Sequence, residues 1–231
     1  MRSPIARGAL AGAAAGVVTS VPALFLLEPV LDAAIALEGG GEGPVSRTTQ
    51  TYVGMPAGFV LTGAALGLLF GLAHRVLPSR AEPWRRSLTL ALSGFLALVL
   101  VPQLRYPANP PGVGDPGTVS TRTSSFLLAV ALGVAVVAGA YAALRALDKA
   151  GSPPAVRQLS VAVAAVLLVG VGYALLPDSG DPVEVPATLL WDFRSRSLGL
   201  QALLYALLGA GFGLLSLRAS QDHGAPERTA A

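Results

Sequence analysis

The sequence predicts an all-α integral membrane bundle: six transmembrane helices, both termini in the cytoplasm (N-in/C-in), and ordered loops on the outer side. Composition is the first reason. Of 231 residues, 53% are hydrophobic and only 13% charged, where a soluble domain carries about 25% charged residues. The second reason is the spacing of apolar runs. Six segments keep Asp, Glu, Lys and Arg out of their middles, and each approaches the ~20 residues that cross a ~30 Å hydrocarbon core. The third is charge asymmetry. With the loops assigned alternately to two sides, eleven of sixteen Lys and Arg fall on one side and nine of thirteen Asp and Glu on the other, giving net charges of +7 and −4. The positive-inside rule makes the basic side, with both termini, cytoplasmic. The overall charge of +3 therefore describes orientation and gives no reason to invoke nucleic acid.

The first helix covers about residues 8–27. Arg2 and Arg7 ahead of an apolar run also fit a signal peptide. However, Gly8, Gly12 and Gly16 form a GxxxGxxxG stripe suited to helix packing, and no clean A-x-A cleavage site closes the apolar run before Glu28, so the helix is read as retained. The second helix, about 53–73, carries Gly63, Gly67 and Gly71 at the same spacing, after Gly54 and Gly58. Such faces let backbones approach where lipid supplies no hydrophobic drive for association; they serve either packing within the bundle or a contact between copies in a homo-oligomer. The third helix, about 88–104, is the shortest and is stopped by Pro102. It is counted as spanning because the loops on either side belong on opposite faces. The fourth and fifth cover about 124–144 and 159–176, and the sixth, about 198–217, contains Gly209 and Gly213. Residues 1–218 thus form one transmembrane domain, and 219–231 a disordered cytoplasmic tail. Trp84 on the inner side, with Tyr52, Tyr106 and Trp191 on the outer, fits interfacial anchoring.

Read as hairpins, the chain has a threefold pattern. Outward helices end in LLEP (26–29), LVP (100–102) and LLP (175–177), and inward helices follow SRTTQ, STRTSS and SRSLGLQ. A true repeat would place Arg47, Arg122 and Arg196 at equivalent points on the outer rim. The alternative is that proline ends helices and arginine sits at interfaces in any membrane hairpin.

No Asp, Glu, Lys, Arg or His stands at the centre of a predicted span, which argues against a midplane proton relay. There is no P-loop, HExxH or nucleophile elbow, so the chain is not read as an enzyme. Without cysteine there is no disulfide and no thiolate metal site. Polar chemistry gathers on the outer side. Glu28, at the mouth of the first helix, needs a partner if buried: a rim arginine or a cation. Asp115, in the loop LRYPANPPGVGDPGTVSTRT (104–123), has the same two readings. With His74 and His223 both placed inside, an outer metal site from this chain would be an oxygen site drawing on Glu28, Asn109, Asp115 and loop carbonyls, and weakly selective. Pro107, Pro110 and Pro111 fix φ and lower the entropy cost of ordering that loop, Arg105 and Arg122 bracket it, and an ordered cap near Glu28 is expected. Gln201, in the first turn of the sixth helix, is the intramembrane polar residue of most interest.

The run RYPANPPGVGDP, followed by Arg122 and Thr123, resembles the central loop of the CbtA family, which is assigned to cobalt transport in bacterial membranes. The likeness extends over RGALAGAAAG from Arg7, the Glu28–Pro29 pair, Val45 to Arg47, Val101–Pro102, LWDFR at Leu190 to Arg194, SLG at Ser197 to Gly199, and Gln201. It implies a multi-pass subunit of the bacterial cell membrane that takes up cobalt for cobalamin synthesis, with the metal ion as transported substrate and no covalently bound cofactor. It also implies a small single-span partner, CbtB-like, whose histidines would supply the imidazoles this chain lacks outside. The competing reading is a non-transporting membrane scaffold whose outer loops dock another protein.

Overall fold

The computed structural model describes residues 3–37, 45–77, 79, 81–111, 113–114, 116–178 and 185–224. Every regular element among them is helical. In order they are α1 (Pro4–Leu26), a short α2 (Glu28–Leu37), α3 (Arg47–Val76), α4 (Pro83–Arg105), α5 (Val119–Lys149), α6 (Pro154–Leu175) and α7 (Ala187–Gly224). All but α2 are long and apolar enough to cross a membrane, so the six expected spans are all present.

The helices outrun the apolar stretches that mark them. Helix α7 begins at Ala187 rather than near Leu198 and continues to Gly224, because hydropathy detects only the lipid-crossing length while charged turns such as WDFRSRS remain compatible with a helix. The stretch EPVLDAAIAL, expected as loop, is α2. Proline in the second position of a helix removes only an N–H that has no intrahelical partner there, and the Ala- and Leu-rich remainder favours helix.

Two helices pass through proline by widening one turn. Gln50–Gly54 and Leu96–Leu100 are π-helical, and Pro56 and Pro102 follow each by two residues. A proline inside a helix clashes with the carbonyl four residues back and offers it no N–H, and a π turn absorbs that misfit. This is why Pro102 does not stop α4 before Arg105.

Two compact units make up the chain, Met1–Leu92 with Ser195–Ala231, and Ser93–Arg194. In the first, α1 and α3 run antiparallel with their glycine stripes face to face. A Cβ on Gly12 would stand 2.7 Å from the Gly63 carbonyl carbon, one on Gly67 2.7 Å from that of Gly8, and one on Gly71 2.7 Å from the Ile5 Cα. Ala11, Ala15, Phe70, Ala91, Leu204, Leu208 and Phe212 form its core, with Phe70 meeting Phe212 edge-on at 5.1 Å. In the second unit, Gly133 of α5 lies against the Ala97 backbone of α4, where an added Cβ would be 3.0 Å from the Ala97 Cα. The Tyr173 hydroxyl of α6 donates to the Val101 carbonyl, and Ser93 and Tyr141 share a 2.9 Å hydrogen bond.

Candidate functional site

Polar side chains converge at two places, one in each unit. In the first unit Glu28, the opening residue of α2, is 8% exposed and is the one charged side chain among the described residues that is buried. Asp32 follows one turn later, so both carboxylates lie on one face of α2. Arg47, at the start of α3, places Nη2 2.6 Å from Glu28 Oε1 and 2.6 Å from Asp32 Oδ1. Its Nη1 donates to Gln50 Oε1 at 3.0 Å, and Gln50 in turn donates to the Val45 carbonyl at 2.9 Å. The Thr51 hydroxyl bonds Glu28 Oε1, with the Arg47 carbonyl, 3.0 Å away, as its alternative acceptor. One guanidinium thus serves two carboxylates, leaving the cluster with an excess negative charge. Asp32 and Thr51 are additions to the sequence reading. The Glu28/Asp32 spacing is their only local signal, and it acquires meaning once α2 is known to be helical.

The three rim arginines stand at different steps of their helices. Arg47 is the first residue of α3, whereas Arg122 and Arg196 lie further into α5 and α7. Arg196 donates to the Leu26 carbonyl at 2.8 Å, satisfying an otherwise unpaired acceptor at the end of α1. Arg122 reaches the Val113 carbonyl at 3.5 Å. Gln201 is half-buried in α7, and Trp191 is exposed.

In the second unit the proline-rich loop is fastened to the end of α6. Arg105 Nη2 lies 2.6 Å from Asp178 Oδ1 and also donates to the Leu176 carbonyl at 3.3 Å, while the Tyr106 hydroxyl donates to the Pro177 carbonyl. Val113 N–H donates to the Pro110 carbonyl at 3.2 Å, and Gly114 follows at φ 111°, a backbone conformation that requires glycine. Arg194 donates from Nε to the Ala108 carbonyl at 3.2 Å and from Nη2 to Asn109 Oδ1 at 2.8 Å. The loop borders a half-open cavity of about 780 Å³ to which Tyr106, Pro107, Asn109, Pro110, Pro111 and Arg122 contribute. Of the three oxygen ligands expected from sequence, then, Glu28 lies in the first unit against Arg47. Asn109 lies in the second with its oxygen turned to Arg194, and Asp115 falls outside the described residues.

Removing the Arg105 tie by Asp178→Asn should speed amide hydrogen exchange at Tyr106 and Val113, leaving the interiors of α5 and α6 protected. Unchanged exchange in the loop would mean that its prolines alone hold it.

Among the described residues no three His, Asp or Glu side chains gather as a metal site. His74 packs its ring 4.7 Å from that of Phe212, near Arg7, whose guanidinium lies 5.9 Å from the same ring. It therefore packs within the first unit. The His223 side chain lies outside the described residues.

Over residues 1–216 the chain matches the family model described as "Probable cobalt transporter subunit (CbtA)". It belongs to the CbtA family, and with six spans it is a multi-pass membrane protein of a transporter-subunit family. No curated protein and no solved structure matches it.

Proposed function

We propose that this CbtA-family chain is the multi-pass subunit of a cobalt uptake system of the bacterial cytoplasmic membrane, serving cobalamin synthesis. Both termini face the cytoplasm, and the Glu28 cluster and the 105–123 loop face outward, as the +7 and −4 charge division supports. The observation that carries the reading is the buried Glu28, paired with Asp32 and held by a single guanidinium.

A divalent cation drawn to the acidic face competes with Arg47 for these two carboxylates. Oxygen ligands alone select poorly among transition metals, whereas imidazole binds cobalt and nickel well. A small single-span partner carrying histidines, CbtB-like, supplies those imidazoles and sets selectivity. Of the three donors proposed from sequence, Glu28 has the setting that favours this role. Asp32 joins it, whereas the Asn109 oxygen is already engaged by Arg194 within the second unit. The chain has no nucleotide-binding motif, so any coupling to ATP resides in another chain.

Cells expressing this chain together with the small histidine-bearing partner should accumulate labelled cobalt faster than cells expressing either alone. Equal uptake in all three would end the transport reading. A stable complex of the two chains that retained no metal and moved none would instead establish a scaffold.

A further inference from the structure

We propose that the cavity of the second unit is an oxyanion site, built for a carboxylate or phosphate group rather than a bare cation. Its volume, about 780 Å³, falls within the roughly 300–1,000 Å³ typical of small-ligand sites. Two arginines, Arg122 and Arg194, line it, and none of its described lining residues is acidic.

Arg194 carries the argument. Its two side-chain hydrogen bonds go to the Ala108 carbonyl and Asn109 Oδ1, both neutral acceptors, so among the described residues its charge is not matched by a carboxylate. A guanidinium has five N–H donors, and these two bonds fix its plane while leaving further donors for a ligand. A guanidinium already held in place loses little freedom on binding, and its fork matches a carboxylate or phosphate. With Oδ1 turned to Arg194, Asn109 offers its amide N–H groups as additional donors. Gln103 and Thr123 add neutral polar groups to the wall. Val119, the first residue of the long α5, also lines the cavity, so the positive end of that helix dipole borders it. A bare cation would meet the Arg194 charge and the positive end of the α5 dipole with the wrong sign. Two sources present the required chemistry: the phosphodiester of an anionic lipid, or a soluble oxyanion such as phosphate or a polycarboxylate.

The test uses the intact chain in nanodiscs, with phenylglyoxal modification of Arg194 followed by peptide mass spectrometry. In discs of phosphatidylcholine alone, inorganic phosphate or citrate at ten times its Kd should slow modification about tenfold, because only the unliganded fraction reacts. That outcome assigns a soluble oxyanion. Protection seen only in discs containing phosphatidylglycerol, without added phosphate or citrate, assigns a lipid headgroup. In equilibrium dialysis or native mass spectrometry, Arg194→Gln should weaken the same binding by about tenfold or more, the loss expected when a charge-assisted hydrogen bond goes. Arg157→Gln, which alters an arginine paired with Asp148 away from this cavity, should leave it unchanged. Arg194 modified at one rate under every condition, or oxyanion binding unaltered in a monodisperse Arg194→Gln protein, overturns the proposal. The labelling arm uses only the native chain and decides the matter even if the variant fails to fold.

Discussion

Valine in place of Gly12 or Gly63 should abolish the native fold of the first unit. At each position the first atoms a Cβ would meet belong to the backbone of the opposing helix: a Cβ on Gly63 would overlap the Gly12 carbonyl and lie 3.2 Å from the Gly16 N–H nitrogen. A flexible side chain could swing away, but a helix backbone cannot, so α1 and α3 would have to separate along their length. Overpacking commonly costs about 1–3 kcal/mol even where neighbours adjust; here the loss should exceed about 3 kcal/mol, because contact along the whole seam is forfeited. The expected readout is loss of the monodisperse peak in detergent, or a large fall in thermal midpoint. Gly58→Ala in the same α3 provides the control, since no atom lies within 4 Å of its added Cβ. It should be neutral or gain up to about 1 kcal/mol from helix propensity. A Gly12→Val protein as stable as the wild type would show that the two stripes do not meet.

That seam was legible in the sequence because its signal is local: three glycines four residues apart on each of two apolar segments. The six spans were legible for a similar reason, since a run of about twenty apolar residues has few other structural uses. The polar clusters were only half legible. Glu28 could be singled out as a carboxylate needing a partner, and Arg47 as a rim arginine, but their pairing depends on α2, whose ten-residue length and two carboxylates hide it from hydropathy. In the sequence Arg194 stands only as one of five basic residues on the outer side. Its partners Ala108 and Asn109 stand 85 or more residues away, and no spacing rule links residues that distant. The same limit applies to Arg105 and Asp178, which meet only because the loop folds back onto the end of α6.

The Glu28, Asp32 and Arg47 cluster yields the other large effect, and here the transport and structural readings predict opposite signs. If the three residues only hold α2 to α3, removing any member lowers stability and does nothing to metal. Arg47→Gln should then be the worst, because it strands Glu28 at 8% exposure. Breaking a buried pair costs about 3–5 kcal/mol, and the partial exposure of Arg47, at 37%, reduces this to about 2 kcal/mol by solvent screening. Glu28→Gln should cost less, since Arg47 keeps Asp32. If the cluster receives a divalent cation, Arg47 is the competitor and the carboxylates are the ligands. Glu28→Gln and Asp32→Asn should then each weaken cobalt retention by about tenfold, equivalent to about 1.4 kcal/mol, whereas Arg47→Gln should strengthen it despite the lost stability. The order Arg47→Gln above wild type above Glu28→Gln in metal bound, set against a different order in thermal midpoint, is an outcome that a purely structural ion pair does not produce. Lower stability with unchanged metal retention in all three variants would return the cluster to a structural role, leaving the metal contacts to be sought on the partner chain.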